Sequence, residues 1–145
     1  HCTTPACTKV CPVSATWKRK EDGIVMMDMH RCIGCRYCMS ACPYRVRSFN
    51  WLYPRPDIVK SDANPLYPNR TKGVVEKCTF CAERLRLGKE PACVEASKQV
   101  PGGAGALTFG NLSDPDSEVS RILKEKRTIS RQPGFGTRPN VYYIV

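Results

Sequence analysis

Apolar residues fall in short bursts along this chain, not in long amphipathic stripes. Thr16–Lys18 and Ile24–Asp28 read as β-type runs on either side of Asp22-Gly23, a two-residue hairpin signal. Cys81 opens a short helix that runs through Leu85 or Leu87, with Gly88 as its C-terminal cap. Residues 105–110, GALTFG, read as a strand. Asp114 is placed to N-cap a further helix with Pro115 at its first position. Val119, Ile122 and Leu123 give that helix one apolar stripe, suited to packing on the domain. Between 44 and 77, Pro54, Pro56, Pro65 and Pro68 break any regular element. Trp51, Leu52, Tyr53, Leu66 and Tyr67 add apolar groups there. Two readings stand for this stretch, a connection wrapped on its own domain and a docking loop for another subunit. The tail from Thr128 is broken at Pro133, Gly134, Gly136 and Pro139. It then closes on the apolar run Val141 to Val145, which is expected to lie on this domain or on a neighbour.

These elements predict a loop-rich α+β chain with short hairpins and short helices. The main domain spans 1–110, with a Pro-rich insertion at 44–77, and a C-terminal helix and docking tail occupy 111–145. The length of 145 residues suits one domain with a tail. Hydrophobic residues make up 41%, but ten of them are cysteines, so the apolar core is thin. Bound metal is expected to substitute for part of it, because metal-binding free energy acts as folding free energy. No stretch approaches the roughly 18 apolar residues of a membrane span. The chain opens at His1-Cys2 in mid-motif and without a Met, as expected of a mature fragment or an N-terminally incomplete domain.

The cysteines change the picture. Residues 32–43, CIGCRYCMSACP, follow the C-x2-C-x2-C-x3-C-P run of bacterial iron–sulfur proteins. Two-residue gaps let Cys32, Cys35 and Cys38 turn onto one cluster, while in two-cluster ferredoxins the fourth cysteine, here Cys42, ligates the other. Residues 1–12, HCTTPACTKVCP, repeat the ending, with Cys2, Cys7, Cys11 and Pro12. Exchange of the last cysteine assigns Cys11, Cys32, Cys35 and Cys38 to one complete four-thiolate cluster. Cys2, Cys7 and Cys42 form a second set, which lacks one ligand in this chain. A third group holds Cys78, Cys81 and Cys93. A fourth cysteine would fall at 97, where Ser97 stands, and a hydroxyl is a far poorer soft-metal ligand than a thiolate. His30 precedes a set that is already complete, so ordinary hydrogen bonding is expected of it. Trp17 is expected to cover a cluster or core face. The fold class is therefore a ferredoxin-like multi-cluster iron–sulfur domain.

The net charge of +10 invites nucleic acid, and three C-x2-C pairs invite a zinc-dependent nucleic-acid-binding module. The Cys-Pro endings and the three-cysteine run speak against it, because closed zinc sites draw four ligands, usually as two pairs. Thiolates and clusters also offset the cationic count. The remaining charge suits an acidic partner or anionic lipid headgroups.

The segments HCTTPACTKVCP, CIGCRYCMSACPYRVRSFNW, KCTFCAERL, PACVEA and NLSDPDSEVSRILKEKR resemble the four-cluster electron-transfer subunits of polysulfide, dimethyl sulfoxide and tetrathionate reductases. The ending GTRPNVYYIV and the missing cysteine at 97 look most like the iron–sulfur part of alternative complex III. That resemblance implies three 4Fe-4S clusters and one 3Fe-4S cluster in the full subunit. The missing ligands would come from an N-terminal cysteine motif and from a cysteine just before residue 1. Cys78, Cys81 and Cys93 would share a cluster with the last cysteine of that motif, and Ser97 would fall at the remaining one. It implies a non-catalytic role, passing electrons from a multi-span quinone-binding membrane subunit to a multihaem cytochrome c subunit. A molybdopterin-type domain or subunit is a further implied partner, and the periplasmic face of the membrane the implied location. The alternatives within this class are a polysulfide reductase-type subunit and a soluble ferredoxin-like subunit of a hydrogenase or formate dehydrogenase.

Overall fold

The computed structural model describes residues 1–53, 70–102 and 105–145. Pro54, Pro56, Pro65, Leu66, Tyr67 and Pro68 of the Pro-rich insertion lie outside the described residues. The chain divides into two compact units, His1–Thr79 with Arg131–Asn140, and Phe80–Ser130 with Val141–Val145. This contact-based division is distinct from the division at residue 110 drawn from the sequence, which stays a proposal.

The first unit is built on two small antiparallel ribbons. Strands β1 (Thr16–Lys18) and β2 (Val25–Met27) pair in the register Thr16 with Met27 and Lys18 with Val25. Period-two alternation turns Thr16, Val25 and Met27 inward and leaves Trp17 39% exposed. Trp17 is not among the residues packed on the small core of this unit. The turn also differs from the two-residue hairpin expected. The Arg19 N–H donates to the Ile24 carbonyl at 2.9 Å, which leaves four residues, Lys20–Gly23, in the loop. The Asp22 carboxylate accepts the Ile24 N–H at 3.0 Å, and this side-chain turn sets the longer loop. Strands β3 (Ser48–Phe49) and β4 (Val75–Glu76) form the second ribbon. Buried Glu76 is held by the Asn50 amide and by an ion pair with Arg70.

Helices α1 (Ala6–Lys9) and α2 (Tyr37–Ser40) are single turns. Alone they would not persist in water, since nucleation is costly. Residues 131–140, which include a 3-10 turn at Pro133–Phe135, return to this unit. Thr3 and Thr4 donate their N–H groups to the Arg138 and Thr137 carbonyls, and Asn140 donates to the His1 carbonyl. Residues 137–140 are thus hydrogen-bonded to the N-terminal segment of this unit.

The second unit carries α3 (Ala82–Leu85), α4 (Ala92–Gln99), α5 (Glu118–Glu125) and a ribbon of β5 (Thr128–Ile129) with β6 (Tyr143–Ile144). Gly88, at φ +69°, closes the turn after α3 as expected, with the Lys89 N–H donating to the Arg84 carbonyl. Residues 105–110 are not a strand among the described residues, and Phe109 instead meets Phe80 edge-on at 5.2 Å. The cap of α5 is Ser117, not Asp114. Asp114 serves the preceding turn, accepting the Asp116 N–H at 3.0 Å. The Ser117 hydroxyl accepts the Ser120 N–H at 3.3 Å, and its one proton lies within reach of the Asn111 and Asp114 carbonyls, at 2.7 and 2.9 Å. The short helices and the three small antiparallel sheets of the described residues make a loop-rich α+β arrangement. Among the described residues no helix is long and apolar enough to cross a membrane.

Losing the Ser117 cap costs about 1 kcal/mol of local helix stability. Amide exchange over Glu118–Glu125 is expected to speed up roughly five-fold in Ser117→Ala, since about 1 kcal/mol is that factor. Asp114→Ala, which leaves the cap in place, is expected to change it less.

Candidate metal centres

None of the ten cysteines is joined in a disulfide. Four of them, Cys7, Cys11, Cys32 and Cys38, pack with one small core of Ala15, Met27 and Val75 in the first unit. They arrive from three separate segments. Cys7 lies on α1 and Cys11 just after it, Cys32 opens the central motif, and Cys38 lies on α2. The central loop curls because Gly34 (φ +70°) and Arg36 (φ +64°) both take left-handed backbone. A non-glycine residue in that region is uncommon and marks a constrained turn. The Arg36 guanidinium is braced over the rings of Phe49 and Trp51, at 5.3 and 5.0 Å from their centroids.

Polar groups aim at the sulfurs. The Ala15 N–H donates to Cys11 Sγ at 3.2 Å, and the Val75 N–H to Cys32 Sγ at 3.4 Å. Burial pushes the Cys11 thiol up, but backbone N–H groups of Val13, Thr16 and Ala15, with the Arg47 charge, outweigh it and hold it below the usual thiol range. Cys38 is more deeply placed, and there burial prevails and raises the thiol despite Arg47. Arg47 itself is buried and donates from Nη2 to Cys7 Sγ at 3.0 Å and to Thr16 Oγ1 at 2.9 Å. Lys77, next to Cys78, is held down to about 8 by burial.

Three of the four cysteines assigned to the complete set, Cys11, Cys32 and Cys38, are thus brought to one core, with Cys7 beside them. Cys35 is exposed and outside that gathering. Cys2, half-buried and bridged to Pro139, is outside it too, as is buried Cys42. Cys78 belongs to the first unit, and Cys81 and Cys93 to the second. Cys81 precedes α3 in left-handed backbone, and Cys93 is exposed on α4. Ser97 follows Cys93 by four residues, which puts both on one helix face. Its hydroxyl donates to the Val94 carbonyl at 2.8 Å. His30 is exposed, and its backbone N–H donates to the Asp28 carboxylate at 2.9 Å. Among the described residues no three His, Cys, Asp or Glu side chains stand close enough to hold a single metal ion.

The donor set suits a soft, thiolate-bound centre and not a hard cation, which takes carboxylate and carbonyl oxygens. Backbone N–H groups and a buried cation directed at sulfur suit iron–sulfur clusters, whose potentials depend on such hydrogen bonds. Sequence reasoning missed Arg47 and Gly34. Arg47 looked like one more scattered basic residue, and its only signal was its place four residues beyond Cys42-Pro43. A Cβ on Gly34 would stand against the Gly73 carbonyl oxygen and 3.1 Å from the Phe49 ring, so glycine alone lets the cysteine loop seat on β3–β4.

Gly34→Ala is expected to lower the iron and labile sulfide content of the purified parent protein, with a loss of about 2 kcal/mol or more from strain and overpacking. Gly73→Ala is the comparison. There an added Cβ meets nothing within 4 Å, so only the left-handed backbone is penalised and the cluster content falls less.

Residues 1–55 match the model of the 4Fe-4S dicluster domain. The chain is similar to Hdr-like menaquinol oxidoreductase iron–sulfur subunit 1 of Archaeoglobus fulgidus, 51% identical over 149 residues. It is 40% identical over 160 residues to the iron–sulfur cluster-binding subunit of menaquinone reductase of Nitratidesulfovibrio vulgaris. It is 38% identical over 146 residues to a tetrathionate reductase subunit of Salmonella typhimurium. Each comparison covers 99% of this chain but 54%, 62% and 48% of the relative, so the chain spans about half the length of the curated relatives it matches.

Proposed function

Because the chain belongs to the 4Fe-4S dicluster iron–sulfur proteins, we propose that it is a non-catalytic electron relay within a quinol-oxidising complex of the alternative complex III type. The observation that carries this reading is the convergence of Cys7, Cys11, Cys32 and Cys38 on one core, with backbone N–H groups and a guanidinium aimed at their sulfurs. When bound, iron–sulfur clusters supply one-electron steps with no bond made or broken in a substrate. The protein's part is to bind, shield and polarise them. Cys11, Cys32, Cys35 and Cys38 hold one cluster, and Cys2, Cys7 and Cys42 contribute to a second. Ala15 and Val75 orient sulfur lone pairs through their N–H groups, and Met27 and Val75 keep water from the sulfurs.

By the family resemblance, Cys78, Cys81 and Cys93 contribute to a third cluster, and Ser97 falls at a fourth that lacks one thiolate. The full subunit then carries three 4Fe-4S clusters and one 3Fe-4S cluster in ferredoxin-like halves. Its partners are a multi-span quinone-binding membrane subunit, a multihaem cytochrome c subunit and a molybdopterin-type domain or subunit. It works at the periplasmic face of the membrane. The likeness to a menaquinol oxidoreductase subunit supports the quinol side of this reading. A second reading, a subunit of a reductase of the polysulfide or dimethyl sulfoxide type, is favoured by the likeness to the tetrathionate reductase subunit. A nucleic-acid-binding zinc module has no such support.

Low-temperature electron paramagnetic resonance of the parent complex tests the relay. A three-iron signal is expected in the oxidised state, and four-iron signals on stepwise reduction. Four-iron signals alone would favour the reductase reading, and no cluster signal in either state would end both. Ser97→Cys restores a thiolate and is expected to trade the three-iron signal for an added four-iron one. An unchanged spectrum would place Ser97 away from any cluster.

A further inference from the structure

Arg47 is 4% exposed, the most deeply buried of the charged side chains described. A guanidinium does not lose its proton in a protein, so its charge is buried with it. Such a charge is tolerated only when it is paired and hydrogen-bonded. Among the described residues no carboxylate forms an ion pair with Arg47. Its partners are Cys7 Sγ at 3.0 Å, Thr16 Oγ1 at 2.9 Å and Met27 Sδ at 3.7 Å. A hydroxyl and a thioether bring no negative charge. The compensating charge therefore has to come from the cysteine sulfurs.

Those sulfurs belong to two ligand sets. Cys7 falls in the set with Cys2 and Cys42, whereas Cys11 and Cys38 fall in the set with Cys32 and Cys35. Arg47 touches the first set directly at Cys7 and, through Met27 Sδ, meets the core on which Cys11, Cys32 and Cys38 of the second set pack.

The geometry points to Arg47 as a buried countercharge shared by two neighbouring clusters, raising the reduction potential of both. This rests on the electron-relay reading above. Reduction adds negative charge to a cluster, and a fixed cation in a poorly solvated core favours that state. Arg47 is a positioning residue, since it acts through the thiolate ligands and their clusters.

The test is a redox titration of the parent complex, followed by low-temperature paramagnetic resonance, with Arg47→Gln and Arg47→Lys. In Arg47→Gln two of the cluster signals are expected to move together to lower potential, and Arg47→Lys, which keeps the charge, to stay near the wild type. If both variants keep their clusters at wild-type potentials, the proposal fails. It also fails if a single signal moves, which would make Arg47 a local donor to Cys7. Should Arg47→Gln lose its iron, Arg47→Lys decides. Iron retained at wild-type potentials supports the countercharge, and iron lost in both variants reduces Arg47 to a packing role. A wild-type complex without iron–sulfur signals would refute the relay reading itself, a result distinct from each of these.

Discussion

Sulfur atoms from distant parts of the chain meet at a core that is too small to hold them by burial alone. Ala15, Met27, Cys38 and Val75 form its buried centre, and none of the four is a bulky aromatic. Around it stand ribbons of two or three residues per strand and helices of a single turn. Elements of this length are marginal in water without a packed partner. The fold of the first unit thus depends on what draws Cys7, Cys11, Cys32 and Cys38 together. Thiolate-to-cluster bonds are the obvious source, because binding energy at such sites is folding energy.

The same dependence explains the polar details. Left-handed backbone at Gly34 and Arg36 bends the central loop, and the aromatic platform of Phe49 and Trp51 holds Arg36 in that bend. The N–H groups of Ala15 and Val75 lie at the ends of short ribbons and point at sulfur instead of at another carbonyl. Ribbons too short to form a stable sheet serve here to place donors. Arg47 completes the arrangement with a full charge. Local structure and packing are two consequences of one convergence, and the redox tuning proposed for Arg47 is a third.

Much of this was legible in the residues. The cysteine spacing marks the chemistry without any coordinates, because few other functions need C-x2-C-x2-C-x3-C-P. The β1–β2 ribbon and the Gly88 closure of α3 follow from local turn chemistry, which short-range sequence encodes. What failed was also local, but contested. Asp22 prolonged its turn through a side-chain bond, and Ser117 took the cap that Asp114 could equally have supplied by type. GALTFG has strand-like residues but pairs with no strand among the described residues, and Phe109 packs against Phe80. Arg47 was invisible because burial of a charge is decided by distant residues. Nothing in YRVRSFNW distinguishes Arg47, which is buried, from the exposed Arg45 two residues before it.

The central claim is that these cysteines exist to hold iron and sulfide. Metal and acid-labile sulfide analysis of the purified parent complex tests it most directly. The account predicts iron and labile sulfide in comparable amounts, both falling together when Cys11 or Cys38 is changed to serine. Zinc bound in stoichiometric amount with no labile sulfide, unaffected by either substitution, would contradict it.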